Sequence, residues 1–562
     1  MKSVKMKMLR FVLTPVFAFV AMCTMAQVKY QAGPELDNDR DVKMNRMIGG
    51  DDDAFYCYRI KTKGKGTSFY VEKYGKKSLA QVFSQEISLD DDKTKIEDVQ
   101  FAQGNVYIFR REYDKAADKM TLYYQTVSAS GKVAAKLVPV TTVSSDHYEF
   151  VDFDIYLTPD KTRFLVKACH KPDKNAEYKS DFILLDATKD MVKKWTKTVN
   201  QRLSNNNVTQ NVLGWFGMGA WAPAKDFSLV GLYVDDNENI YYCYLDVTKN
   251  STEKEKRYRL HMNTLSAGET TTKTADVLFD DEYTVSDIEF HKGDNSSMVI
   301  GGFIKDVIER PGRDLVKVGI FSVKIDLVSN KVTSLVTNFF EDQMLKALES
   351  NNKKSRYLKY KLDYILPVGD AVYYVGEQYR ETRVTTTSNY GTGFGMNSFG
   401  TNNNTYWEYE YMDVIVAKLN KEGKFEWVKN APLRNEMRMD FAHVFKQYIA
   451  VATSKNLYIL CNDHPKNIAR YEKNDYEPSD LKSVRTIHGS NFVCNAMDLG
   501  SGKITRSIVF ENEKYCFAPI QERNRQFMPP SECEIFVHGN NNEIYIYSED
   551  RGKDQFGKII FQ

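Results

Sequence analysis

Seven times along this chain a stretch of alternating apolar residues runs into a short polar turn, and an apolar strand leaves it. The clearest turns are Leu185-Asp186-Ala187-Thr188-Lys189, Leu245-Asp246-Val247-Thr248-Lys249, Ile325-Asp326-Leu327-Val328-Ser329, Leu419-Asn420-Lys421-Glu422-Gly423 and Met497-Asp498-Leu499-Gly500-Ser501. Val71-Glu72-Lys73-Tyr74-Gly75 and Val127-Ser128-Ala129-Ser130-Gly131 are looser copies. Such a repeat fixes the architecture before any local reading does. Each unit buries its faces only against its neighbours.

A second recurrence sets the count. Val106-Tyr107-Ile108, Ile240-Tyr241-Tyr242, Val372-Tyr373-Tyr374, Leu457-Tyr458-Ile459 and Ile544-Tyr545-Ile546 mostly follow Asn, Gly or Asp clusters, a hairpin signal. With similar strands near Phe55, Phe164 and Met298, eight inner-strand starts lie about 70 residues apart on average, the length of a large propeller blade. Lys558-Ile559-Ile560-Phe561 reads as a last strand against Ile544-Tyr545-Ile546-Tyr547, so the chain ends inside the sheet system, as ring closure requires. The expected fold is all-β: a β-propeller of eight blades, or of seven if the terminal pieces share one. Residues 27–562 read as a single propeller domain. One short helix is expected at 340–349, from its strong helix formers.

The start of the chain reads as an export signal. Lys2, Lys5, Lys7 and Arg10 precede an apolar run from Phe11 to Met22, and Thr24-Met25-Ala26 offers small residues for cleavage before Gln27. That run is shorter than the roughly 20 residues of a membrane span. Cys23 raises lipid attachment, although Met22 stands where such a site wants a small residue. The expectation is a mature protein in the periplasm or outside a Gram-negative cell, or associated with its outer membrane. Losing residues 1–26 removes four bases and no acid, which leaves 73 bases against 75 acids. A balance so near neutral carries no footprint for nucleic acid. Cys516 and Cys533 are the nearest candidates for a disulfide.

Chemistry is sparse. No metalloprotease, nucleophile-elbow, Walker or dinucleotide motif occurs, and no two histidines have ligand spacing. A propeller peptidase would need an added hydrolase domain, for which the sequence shows no pattern. Asp51-Asp52-Asp53, Asp90-Asp91-Asp92 and Asp280-Asp281-Glu282 read as solvated loop ends, and Asp235, Asn237 and Asn239 as a hairpin turn without the glycine a calcium loop needs. No catalytic residue, metal site or cofactor is assigned. Three places can bind. Trp215 and Trp221 flank a glycine-rich loop and can stack on sugar rings or pack between blades. A flexible hairpin insertion at 385–411 is rich in Gly, Asn, Ser and Thr and carries Tyr406 and Trp407, the composition of an adaptable recognition loop. Asp463-His464-Pro465-Lys466 places a histidine beside a carboxylate and an ammonium, an arrangement for proton transfer and also a good turn.

Two resemblances follow from particular residues. Leu185-Asp186-Ala187-Thr188 ending in Lys194-Trp195, and Leu419-Asn420-Lys421-Glu422-Gly423-Lys424-Phe425-Glu426-Trp427, resemble the quinoprotein-type propeller repeat, in which a docking Trp follows the turn. That repeat occurs in quinone-dependent dehydrogenases and in non-catalytic outer-membrane assembly scaffolds, and this chain lacks the adjacent cysteine pair of the enzymes. Gly376-Glu377-Gln378-Tyr379, Asp413-Val414-Ile415-Val416 and Asn462-Asp463-His464-Pro465-Lys466-Asn467 are similar to a group of exported Gram-negative proteins of uncharacterised activity. The sequence thus favours a non-catalytic exported propeller that binds a protein or glycan of the cell envelope. The alternatives are a polysaccharide hydrolase or lyase using carboxylates at the channel mouth, and an envelope assembly scaffold.

Overall fold

The computed structural model describes residues 28–37, 41–61, 67–89, 94–144, 152–170, 178–201, 229–249, 256–279, 283–293, 296–308, 315–341, 359–389, 401–439, 445–473, 480–519, 536–539, 542–550 and 552–562. Their strands form eight antiparallel sheets, I to VIII in chain order, and the fold is a β-propeller. Sheets I to VII each run outward through four successive strands: 42–89, 94–144, 152–201, 229–278, 283–339, 359–431 and 448–511. Sheet VIII takes three strands from 536–561 and its outermost from the other end of the chain, Val28–Asp37. The first strand thereby pairs with the last, Val28↔Phe561 to Asp37↔Lys553. No helix among the described residues is long and apolar enough to cross a membrane.

This closure explains a mismatch in the sequence. Seven turns recur, yet there are eight sheets. The recurrent turn joins the third and fourth strands of a sheet, and in sheet VIII those strands come from opposite chain ends, so no turn exists there. The turns of sheets III, V, VI and VII are built by one local device. Asp186 accepts from the main chain and hydroxyl of Thr188, Asp326 from those of Ser329, and Asp498 from those of Ser501. Asn420 accepts from the backbone of Glu422 and Lys424. Short oxygen-bearing side chains favour such turns because they satisfy the bending backbone locally. Gly423 (φ +82) then takes a left-handed conformation, which Asp190 and Asn330 adopt in sheets III and V.

Three details differ from the expectation. Leu245–Lys249 is not a turn: it lies in the strand Ile240–Lys249, where Asp246 pairs with Arg259. The corresponding turn of sheet IV is at 266–269, where Glu269 N donates to Ser266 O. The tyrosine-bearing strands, read as innermost, are the second strands of their sheets. Buried on both faces between adjacent sheets, they are the most apolar, and so the easiest to see in a sequence. The helix expected at 340–349 lies outside the described residues beyond Glu341. The described helix, Pro465–Lys473, is one the sequence reading treated as a turn.

Side chains of one sheet grip the turns of the next. Lys73 Nζ donates to Ala129 O, Tyr107 OH to Ala187 O, Lys197 Nζ to Ser266 O and Asn338 Nδ2 to Gly423 O. Trp427 Nε1 reaches Gly500 O at 3.2 Å, and Trp195 Nε1 reaches Glu238 at 3.3 Å in the first turn of sheet IV. These are the two docking tryptophans of the quinoprotein-type resemblance.

The seam between sheets I and VIII holds a buried ion cluster. Arg59, 3% exposed, pairs with Glu72 of its own sheet (Nε–Oε2 2.6 Å) and with Asp554 of sheet VIII (2.6 Å). Tyr74 donates to Glu72 and Tyr547 to Asp554, each at 2.7 Å, while Phe55 packs on Tyr545 and Phe556. Gly33 is required beside this seam: a Cβ there would sit 2.6 Å from Leu79 Cβ and 2.9 Å from Phe556 O. Removing one member of a buried charge cluster leaves the others uncompensated. Arg59→Met is therefore expected to cost about 3–5 kcal/mol, read as a shifted urea midpoint at unchanged slope. A shift below about 1 kcal/mol, the scale of an exposed pair, would show that the cluster does not hold the seam.

Carboxylates on the turns and the closing strand set the acid response. Hydroxyl and main-chain hydrogen bonds hold Asp186, Asp326 and Asp498 below the ordinary carboxylate value. Hydrogen bonds from Lys514, Tyr515 and Lys553 lower Glu35 from 4.5 to about 2. A depressed carboxylate contributes its stability above the unfolded value and loses it as pH falls through the folded one. Melting temperature should fall between pH 4.5 and about 2. The combined variant Glu35→Gln, Asp326→Asn, Asp498→Asn should flatten that limb in calorimetry. An equally steep limb in the variant would remove these groups as its source.

Candidate functional site at the junction of sheets VI and VII

Sheet VI departs from the others in its central hairpin. Ala371–Asn389 and Thr401–Leu419 are each 19 residues long. They pair from Val372↔Leu419, break register between Glu377 and Tyr379, and continue to Asn389↔Thr401. Alternating tyrosines, threonines and charges over 379–411 suit a two-faced strand pair. Asn435–Met439 adds a third strand to this extension, from Trp407↔Met439 to Tyr411↔Asn435. The insertion read at 385–411 is therefore a continuation of regular strand pairing, with residues 390–400 outside the described residues.

The two faces of the extension differ. Trp407, Tyr409 and Tyr411 share one face with Met437 and Met439; Tyr409 and Tyr411 are buried, and Arg383 lies over the Trp407 ring at 6.0 Å. The other face carries Tyr406, Glu408 and Glu410. There Arg438 stacks over Tyr406 at 4.9 Å and pairs with Glu408 at 2.8 Å, Arg380 pairs with Glu410, and Arg485 pairs with Glu436 at 2.7 Å. Tyr406 and Trp407 thus point to opposite sides, as adjacent strand residues must. Each is half-buried under an arginine. No binding role was assigned to the arginines in the sequence, since a lone Arg on a charged strand carries no signal.

Asp463 and His464 lie where the second strand of sheet VII, Asn456–Asp463, meets the helix Pro465–Lys473. Asp463 Oδ1 accepts from His464 N (2.9 Å) and Asn467 Nδ2 (2.8 Å), and Oδ2 accepts from Arg506 (2.9 Å). Arg506 also donates to Asn495 Oδ1 and Pro432 O, both at 2.7 Å, and lies 4.0 Å from the Tyr471 ring centroid. Burial raises the Asp463 carboxyl against the opposing pull of Arg506. The His464 ring Nδ1 accepts from Lys466 N at 3.1 Å, the position of a helix N-cap ahead of a first-turn proline. Asp463 thus ties the strand end to Arg506 and Asn467, and His464 caps the helix. Trp215 and Trp221 lie outside the described residues.

The innermost strands bear on the carboxylate alternative. In sheets I, II, V and VI a bulge adds one polar residue: Asn45, Glu97, Asp287 and Asp363. Neighbours already hold most of the acids on these strands. Glu97 pairs with Arg111 (3.1 Å), Asp98 with Arg46 (2.9 Å) and Asp154 with the buried Lys167 (3.5 Å), while Asp363 accepts from Tyr448 OH (2.7 Å). Among the described residues no group of three or more His, Cys, Asp or Glu side chains is placed to hold a metal. Cys516 Sγ lies 3.6 Å from Asn512 O, and Cys533, read as its bridge partner, lies outside the described residues.

No family model matches this sequence, and no curated protein matches it. Among solved structures, prolyl oligopeptidase B from Galerina marginata is 10% identical, with 93% of this chain and 55% of that chain covered and a TM-score of 0.36. The β-propeller domain of the Trilobed protease from Pyrococcus furiosus is 7% identical over 84% of this chain and 97% of its own, with a TM-score of 0.32. A member of the DUF4221 family from Bacteroides vulgatus is 9% identical over 77% and 92%, with a TM-score of 0.21. This chain spans about half the length of the prolyl oligopeptidases it matches. Likeness at these identities bears on fold alone.

The junction makes a separable prediction. His464→Ala should cost about 0.5–1 kcal/mol, as loss of a cap does, with recovery in His464→Ser. Arg506→Met should cost about 3–5 kcal/mol, because Asp463 is then left buried without its cation. Equal effects of the two substitutions on the urea midpoint would contradict these roles.

Proposed function

We propose that this protein is an exported β-propeller that binds a protein or glycan of the cell envelope without catalysis, with the sheet VI extension as its contact surface. The observation carrying this reading is the hairpin itself. Its strands pair for eleven residues past the Glu377/Tyr379 register break. Half-buried aromatics under arginines, Trp407 on one face and Tyr406 among charges on the other, supply the rigid anchors and adaptable polar groups that contact surfaces use. The sequence of residues 1–26 supports export. The engagement of inner-strand acids by Arg46, Arg111, Lys167 and Tyr448 favours binding over hydrolysis, since a glycosidase pair needs carboxylates free to exchange protons.

The test replaces 383–407 by Asn-Gly, joining the paired residues Thr382 and Glu408. Wild type is expected to bind a subset of an envelope-glycan array, or to retain one stoichiometric envelope protein after crosslinking. The shortened variant should keep its circular dichroism spectrum and lose that binding at least tenfold. Unchanged binding would rule out the extension as the contact surface, and release of shorter saccharides from a bound glycan would overturn the non-catalytic reading.

A further inference from the structure

A groove of about 800 Å³ lies between the outer strand of sheet VI, Phe425–Ala431, and that of sheet VII, Ile504–Glu511. Lys429, Asn430 and Pro432 line it from sheet VI, the unbroken run 501–508 from sheet VII, and Ile468 and Tyr471 from the helix. Its size is that of ligand sites, roughly 300–1,000 Å³.

Two features of the lining point to one kind of occupant. The first is a free strand edge. Ile504–Glu511 is last in its sheet and pairs only with Asn491–Asp498 among the described residues, so its outward main-chain groups remain open to a further strand. The second is charge. Lys429, Lys503 and Arg506 line the groove and no Asp or Glu does. Asp463 neutralises Arg506, whereas both lysines are exposed and in no ion pair among the described residues. Ile508, 43% exposed on the same edge, adds an apolar contact.

We propose that this groove binds an extended acidic segment of a partner protein, which adds a fifth strand to sheet VII and sets its carboxylates against Lys429 and Lys503. Main-chain pairing supplies affinity in such strand addition, and alternate side chains supply specificity. A run of eight edge residues spans about 26 Å, the length of a short extended peptide. An acidic saccharide would meet the lysines but leave the strand edge unused. The groove is a different surface from the sheet VI extension, so either reading can fail alone.

The probe is a fluorescein-labelled octapeptide of alternating Val and Glu, titrated against the full chain from Gln27 and followed by anisotropy. It is expected to bind saturably. Lys429→Glu and Lys503→Glu should each weaken binding roughly tenfold. N-methylation of alternate peptide amides should abolish it in the register that faces the strand, while a Val/Lys octapeptide should not bind. The 383–407 deletion should bind the probe as wild type does. Circular dichroism checks that the lysine variants, altered only at exposed side chains, stay folded. Absence of saturable binding, indifference to both lysine reversals, or equal affinity for both N-methylated registers would overturn the proposal. So would binding of polygalacturonate by a protein that ignores the peptide.

Discussion

A ring of sheets has no core of its own; each sheet is stable because its two neighbours cover it, and the ring is stable only if its ends meet. In this protein everything depends on the contact between sheets VIII and I. Val28–Asp37 covers the outer edge of sheet VIII, and Arg59 is buried between Glu72 of sheet I and Asp554 of sheet VIII. A purely apolar seam would be at least as favourable energetically, since burying three charges is expensive. The ion cluster adds register. Arg59 meets both acids only when the first sheet sits against the last in one alignment. The lowered Glu35 carboxyl, gripped by Lys514 and Lys553, fastens the closing strand on its exposed side.

The recurrent turns carry the same logic around the ring. In sheets III, V, VI and VII an Asp or Asn satisfies the turn backbone from within, as Ser128 does in sheet II, and such a turn presents its carbonyls in fixed directions. The preceding sheet then reads those carbonyls with Lys73, Tyr107, Lys197, Asn338 or Trp427. Local turn chemistry thus becomes contact between sheets. That is why the turn repeats more faithfully than the side chains that grip it. The turn must always form the same bend, while a lysine, a tyrosine, an asparagine or an indole can each reach a carbonyl.

Much of the fold was legible for this reason. Period-two strands and Asx turns are local signals, and they identified an all-β propeller with eight hairpin markers. The innermost strands were not legible. They face the apolar second strand on one side and the axis on the other, and their bulges at Asn45, Glu97 and Asp363 break the alternation that marks a strand. Leu245–Lys249 misled because its composition matches a turn while its partner Lys256–Leu265 holds it in a strand. The site was less legible. Tyr406 and Trp407 stand out by composition, but which arginine covers each, Arg438 over Tyr406 and Arg383 over Trp407, depends on strand register, which no local pattern encodes. His464 was singled out because a histidine between carboxylate and lysine suggests proton transfer. The ion pair of that carboxylate, Asp463 with Arg506, joins residues 43 positions apart.

Sheets VI and VII concentrate the departures from repetition. One carries the overlong hairpin, the other the helix, and between them lies the groove. In a propeller the repeat itself must be spent on covering neighbours, so residues available for recognition are those the repeat does not need. The ladder beyond Tyr379, the helix at 465–473 and the unpaired edge of 504–511 are such surplus, and all three belong to sheets VI and VII. The buried hub of Asp463 and Arg506 ties them into one unit: Arg506 belongs to the edge strand, Asp463 precedes the helix, and Pro432 O, which Arg506 also holds, lies just ahead of the strand that widens the hairpin. A partner seated on any one of the three would therefore meet a surface whose position is fixed by the other two.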